Sequence, residues 1–326
     1  MNSAVTPSLR RIAFFGTPAF AVPALSALLK HPGSRVDVVV TQPDRPAGRG
    51  QKLAASPIKL LAAEHGLPLL QPENIRRSQE EFISKLRQFG PLDLGIVVAF
   101  GQILPPALLA LPRAGCINLH ASLLPRWRGA APIQRAIMAG DRKTGISLMK
   151  VESGLDSGPV FCQEEIDITK TDDSQTLHDR LARLGADMLT RFLEPICAGE
   201  LAATEQDQSE VTYADKITSA DACVDWRNPA DQIERLVRAL APAPGAYTTL
   251  GGKVLKIFRA EAFDYPSAQP GRIYSFNNGT IEVNCGSGIL ALQEVQPAGK
   301  KRMSVDNFLR GAFLECGEIL GQSHDD

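Results

Sequence analysis

The 326-residue chain has six cysteines, and none forms a CxxC pair or sits at a spacing suited to a metal. That usage argues for free thiols in a reducing, cytoplasmic compartment; a disulfide framework, a structural zinc site or any other metal is not expected. Long apolar runs are missing as well. The segment IAFF that follows Arg10 and Arg11 stops at Gly16, too short for a signal peptide or a membrane span, so no membrane partner is expected. Charge of either sign is not in excess: the formal net charge is −1, so nothing global points to nucleic acid, although local basic clusters keep their force. Two catalytic signatures are absent. GTPAFA, at the first strand-to-helix turn, does not supply the GxGxxG that lets backbone approach a pyrophosphate, which disfavours NAD. No GxSxG elbow occurs, so no serine nucleophile is indicated.

What is present is an alternation of strands and helices. Arg11 to Phe15 is a short apolar run followed by a turn at Gly16 and Thr17 and a helix that stops at HPG; VDVVVTQ, residues 36 to 42, reads as a strand buried on both faces. A helix over 57–65, a strand near 68–70, a charged helix through 79–88 and a strand in LDLGIVVAFG continue the pattern. The expected class is α/β, a doubly wound, mostly parallel sheet. Apolar positions at helical spacing from Leu177 to Phe192 predict a long amphipathic helix over 174–198 that closes this domain. The apolar pattern lapses from 199 to 216. Beyond it, short alternating strands separated by Gly, Pro and Asn predict a small β-barrel of the OB type. The expected division is therefore a catalytic domain over 1–198, a linker over 199–216 and a second domain over 217–326.

Chemistry concentrates in CINLHASLLPRWRGAAP, residues 116 to 132. Residues i and i+2 of a strand project from one face, so Asn118 and His120 point together from its carboxyl end while Leu119 packs behind. Open α/β sheets bind ligands at that end. A strand-end Asn and His are also common turn formers, and an Asp in a glycine turn such as Asp156, in GLDSG, is by itself usually local backbone capping. The topology gives the aspartate its force, because it ends a connection from the strand expected to neighbour the Asn118 strand. An amide donor, an imidazole and a carboxylate together suit acyl transfer to an amine without a covalent intermediate.

Two basic segments stand apart from this cluster. The loop PDRPAGRGQKLAASP, residues 43 to 57, carries Arg45, Arg49 and Lys52 against one acid; it is either a solvated surface loop or an arm that grips phosphates. Lys300, Lys301 and Arg302 cluster late in the chain, with Lys253, Lys256 and Arg259 on a nearby strand. Residues 217–326 hold eleven Lys and Arg against thirteen Asp and Glu, so a phosphate-facing stripe there would have to be local.

INLHASLLPRWRGAAPIQ, GLDSG, FFGTPAFAVPAL, TQPDRPAGRG and VQPAGKKRMS together resemble the methionyl-tRNA formyltransferases, in that family's order and over nearly the whole chain. NxH…SLLP and GxD alone would mark the wider group of 10-formyltetrahydrofolate transferases; the arginine-rich loop and QPAGKKRMS narrow it. The resemblance implies transfer of formyl from 10-formyltetrahydrofolate, as co-substrate, to the α-amine of methionyl initiator tRNA; a monomer without a metal is expected. It puts the catalytic trio on Asn118, His120 and Asp156, the folate border on Ser122, Leu123, Leu124 and Pro125, and a contact near the tRNA acceptor end on Arg49; from the two basic segments themselves, Arg45, Lys52, Lys300, Lys301 and Arg302 are expected to contact tRNA as well. Phe100 stands where the family more often has Tyr, and Ala243 where it often has Trp. The competing expectation is formylation of a nucleotide-linked amino sugar; a formate-releasing hydrolase and a folate- or RNA-binding module without turnover are the others.

Overall fold

In chain order the computed structural model has β1 (Arg10–Gly16), α1 (Val22–Lys30), β2 (Ser34–Val40), β3 (Arg45–Ala47), β4 (Lys52–Ala54), α2 (Pro57–Glu64), β5 (Leu69–Leu70), α3 (Gln79–Arg87), β6 (Leu94–Val98) and α4 (Pro106–Leu109). These lead to β7 (Cys116–His120), β8 (Arg128–Gly129), α5 (Pro132–Ala139), β9 (Lys143–Lys150), β10 (Val160–Asp167), α6 (Ser174–Ala198), β11 (Tyr213–Ala214) and α7 (Ala230–Leu240). The chain ends in β12 (Ala246–Leu250), β13 (Lys253–Phe263), β14 (Ile273–Asn277), β15 (Thr280–Asn284), β16 (Ile289–Pro297), β17 (Met303–Ser304) and α8 (Val305–Leu309). The structure describes residues 9–47 and 52–321.

The chain separates into two compact units, and neither is continuous in sequence. The first comprises the chain up to Gly129, Thr144–Ile166 and His178–Tyr213; the second comprises Ala130–Lys143, Asp167–Leu177 and the chain from Ala214. The first unit holds a seven-stranded sheet in the order β10-β9-β7-β6-β1-β2-β5. Pairing is parallel from β7 through β6, β1 and β2 to β5, and antiparallel between β7 and β9. Burial of both faces explains the unbroken apolar runs: Ile12 to Phe15 and Val38 to Val40 are all fully or almost fully enclosed. Helix starts follow local chemistry. At α2 the Ser56 side chain accepts from the Lys59 amide at 3.1 Å and Pro57 takes the first helical position.

The long basic loop contains more order than its composition suggests. β3 and β4 pair antiparallel, with Arg45 opposite Ala54 and Ala47 opposite Lys52. Alternation then puts Arg45 and Lys52 on one face of this hairpin and Pro46 and Leu53 on the other. Residues 199–216, expected as a linker, are not a bare connection: Thr204 bridges to Val160, and Gln206 is 7% exposed.

The second unit is an antiparallel sheet in the order β12-β13-β16-β15-β14, with β17 added to β16, the barrel-like arrangement expected from its short strands. Ile233, Val237 and Leu240 of α7 share its core with Leu255, Ile257, Val283, Leu290 and Leu292. Helix α5 packs on α7, and the Arg135 guanidinium holds Asp221 at 3.0 Å. Two of its peptide bonds, Ala241–Pro242 and Ala243–Pro244, are cis. Ala243 lies exposed between them.

Candidate active site

β7 carries the site. Leu119 is buried against α6 so closely that a Cβ on Gly185 would lie 2.6 Å from its side chain. This fixes the strand's rotation, and the period of two turns Asn118 and His120 to the opposite face. Register completes the frame: Asn118 lies opposite Val97 on one side and Met149 on the other, and His120 opposite Ser147.

Asp156 arrives from the connection between β9 and β10. Its backbone is left-handed, at φ 45°, a conformation that costs a non-glycine residue about 1–3 kcal/mol and persists only where its surroundings impose it. The flanking glycines of GLDSG sit in tight space, Gly158 against backbone and Gly154 against a rotatable hydroxyl. A Cβ on Gly154 would lie 2.2 Å from the Ser157 hydroxyl oxygen, and one on Gly158 would lie 2.0 Å from the Lys150 carbonyl. The turn so formed brings the Asp156 carboxylate to both residues of β7. The Asn118 amide donates to Oδ1 at 3.4 Å, and His120 Nδ1 lies 3.6 Å from Oδ2, which also accepts from the Gly129 amide at 2.9 Å. The three polar groups named from the sequence therefore converge.

His120 is 5% exposed, and its Nε2 lies 2.9 Å from the Trp127 carbonyl. A carbonyl only accepts, so Nε2 carries a hydrogen and donates it, leaving Nδ1 toward Asp156. Trp127 is itself left-handed, at φ 64°, with its amide donated to Thr212 Oγ1 at 2.9 Å. Cys116, at the far end of β7, is no nucleophile: burial pushes its thiol up to about 12.

SLLP forms a closed loop beside these groups. Ser122 is fully buried and its hydroxyl donates to the Arg126 carbonyl at 2.6 Å, so it shapes the loop instead of facing a ligand. Ser147 Oγ accepts from the Leu124 amide and donates to the Ser122 carbonyl, while Gln163 Nε2 donates to the Leu124 carbonyl at 2.8 Å. Leu124 and Pro125 line a cavity of about 270 Å³ with Phe161, Gln163 and Gln206; Leu123 packs beside Gly145. Phe100 is enclosed against Phe15, ring centroids 5.7 Å apart.

The basic residues fare differently. Arg45 and Lys52 are exposed on the hairpin, and Arg49 lies outside the described residues. Lys300 and Lys301 are exposed, whereas Arg302 is held by Glu294 at 2.5 Å and lies 4.6 Å over the Phe258 ring. The stripe on β13 does not form as a free cationic face. Lys256 donates to the Pro244 carbonyl and Arg259 to Gln293. Among the described residues no group of three or more His, Cys, Asp or Glu could hold a metal, and no helix is long and apolar enough to cross a membrane.

Sequence reasoning missed Gln206, Arg128 and Thr212. Arg128 is 4% exposed, with Nε and Nη2 on Gln206 Oε1 at 3.0 and 2.8 Å, and Gln206 Nε2 donates to the carbonyls of Asp156 and Gly158, each at 2.8 Å. The segment 204–212 has no apolar periodicity to announce burial; the WRG arginine next to the site loop was its one visible signal.

An open α/β sheet with an amide, an imidazole and a carboxylate at one strand end, and a buried, inert thiol behind them, defines the class: an enzyme of acyl transfer that needs no protein nucleophile. The formyl transferase family matches residues 10–193, and the formyl transferase C-terminal domain matches residues 216–312. A methionyl-tRNA formyltransferase of Methylococcus capsulatus is 51% identical over 312 residues, 95% of this chain and 99% of that protein; one of Geobacter metallireducens is 46% identical over 310 residues, 95% and 98%. HypX from Aquifex aeolicus in complex with tetrahydrofolic acid superposes with a TM-score of 0.62 at 16% identity, covering 92% of this chain and 46% of that one, a likeness of fold. The chain belongs to the formyl transferase family and, within it, to the methionyl-tRNA formyltransferases.

Proposed function

We propose that this chain transfers the formyl group of 10-formyltetrahydrofolate to the α-amine of methionine carried on initiator tRNA, in the cytoplasm. The observation that supports the reading best is the meeting of Asn118, His120 and Asp156 at the carboxyl end of β7. In the reaction the donor's N10–formyl bond breaks, a bond forms between the formyl carbon and the amine, and one proton passes from the amine to N10.

Asn118 commits one amide hydrogen to Asp156 and keeps the other for the formyl oxygen as that oxygen gains negative charge. His120 is fixed by its bond to the Trp127 carbonyl. Its Nδ1, at 3.6 Å too far from Asp156 for a hydrogen bond, is the nitrogen free to meet the oxygen once it carries a proton. Asp156 orients the Asn118 amide and takes up the proton that the attacking amine sheds. Leu124 and Pro125 supply an apolar border for the donor, with Ser122 and Leu123 setting the loop's shape. Arg45 and Lys52 on the hairpin, with Arg49, Lys300 and Lys301, meet tRNA phosphates; Arg302, its charge already paired, contributes less.

The test is turnover of Asn118→Ala, His120→Ala and Asp156→Asn. Each is expected to lose about 10²–10³ in kcat, the usual cost of removing a transition-state donor or a proton acceptor. Near-normal turnover in all three folded variants would contradict the assignment.

A further inference from the structure

The cluster just described does not hold itself in place. Asp156 and Trp127 both sit in left-handed backbone, and each supplies something the site needs: the aspartate its carboxylate, the tryptophan the carbonyl that fixes His120. Both are tied to one stretch, residues 206 to 212. Gln206 donates from its single amide nitrogen to the carbonyls of Asp156 and Gly158, one inside the left-handed turn and one at its end. Its oxygen accepts twice from Arg128, one residue past Trp127. Six residues on, Thr212 Oγ1 accepts from the Trp127 amide at 2.9 Å, and the Thr212 carbonyl accepts from the Arg128 amide at 2.9 Å.

The partners settle which end of the Gln206 amide is which. A guanidinium can only donate and a carbonyl can only accept, so Oε1 faces Arg128 and Nε2 faces the Asp156 turn. All four bonding positions of the side chain are used, and at 7% exposure water does little to replace them. A solvated connecting segment would not bury a glutamine and an arginine against each other.

We infer that Gln206, locked by Arg128, and Thr212 are positioning residues for the reaction: they set where the Asp156 carboxylate and the His120 ring stand without touching substrate. This rests on the reading of Asn118, His120 and Asp156 as the reacting groups. Misplacement of a catalytic group by about 1 Å costs roughly 100-fold in rate, so the loss falls on kcat and not on affinity.

Gln206→Glu tests it at nearly constant volume. The carboxylate keeps both bonds to Arg128 but presents an acceptor to two carbonyls 2.8 Å away. The expected result is a fall of about 10–100-fold in kcat, with KM for the folate and tRNA substrates each within about threefold of wild type. Thr212→Val is expected to lower kcat in the same way and Thr212→Ser to restore it, since only the hydroxyl accepts from Trp127. Thr212 variants also decide the matter if Gln206→Glu does not fold. Full kcat in folded Gln206→Glu, a loss confined to KM, or equal turnover of Thr212→Val and Thr212→Ser would overturn the inference. Asp156→Asn, run alongside, separates the two claims: if it retains turnover the reacting-group reading fails, whereas its loss beside a fully active Gln206→Glu defeats the positioning role alone.

Discussion

The end of β7 and the β3–β4 hairpin are both polar, and they are built in opposite ways. At β7 every functional group is enclosed or half-enclosed: His120 and Gln206 are almost fully buried, two residues are held at positive φ, and the Asp156 turn needs glycine at 158 for lack of space. On the hairpin Arg45 and Lys52 stand in solvent, and the hydrophobic Leu53 on its other face is 71% exposed. Chemistry on a formyl carbon requires dipoles fixed before the substrate arrives, because reorienting them during reaction would cost the rate it is meant to gain. Contact with a phosphate backbone asks for charge within reach and tolerates imprecise geometry. One region is rigid by packing and the other is defined by charge alone.

The contrast is sharpest if the two regions answer differently to substitution. Gly158→Ala is expected to have the largest effect among the changes outside the reacting groups. Its methyl would meet the Lys150 carbonyl 2.0 Å away, so β9 or the Asp156 turn must move. Overpacking of this kind costs about 1–3 kcal/mol, and turnover should fall at least tenfold with a lowered melting temperature. A variant that melts and turns over like wild type would show the turn to be far looser than it stands.

Arg45→Ala combined with Lys52→Ala should do the reverse. Stability and the KM for the folate donor stay unchanged, tRNA affinity falls about 3–30-fold at low salt, and the slope of log affinity against log salt becomes shallower by one to two. A salt slope identical to wild type would remove these residues from the phosphate contacts.

The smallest effect is expected in the second unit. Asp221 accepts from Thr218 and pairs with Arg135, which together hold its carboxyl down from 3.8 to about 2. Its folded state thus favours the charged form, and the stabilisation is present above about pH 4 and lost as pH falls through about 2. Asp221→Asn should lower the urea midpoint slightly at pH 7, and the difference should shrink toward pH 2. An equal difference at both pH values would contradict the linkage.

Particular residues mark how far the sequence could be read. β7 and its Asn118–Leu119–His120 alternation were legible because a strand's period of two fixes facing without any tertiary knowledge. The long helix α6, Ser174–Ala198, was legible for the same reason at a period of 3.6. Direction was not: KTGISLMK is buried along almost its whole length, and a strand enclosed on both faces carries no mark of whether its neighbour runs with or against it, so the antiparallel β9 came only from the structure. The hairpin hid inside a Pro- and Gly-rich stretch whose strands are three residues each. Gln206 was invisible because its burial depends on partners 50 and 78 residues away, and nothing local distinguishes a satisfied polar side chain from a solvated one.

The central question is whether this site formylates an amine on tRNA. Labelled formyl-tetrahydrofolate offered to the full chain with methionyl initiator tRNA and a nucleotide-linked amino sugar together, water being always present, measures it directly. Label is expected on methionyl-tRNA alone and is lost in Asp156→Asn; label on the sugar, or free formate as the only product, would rule that chemistry out.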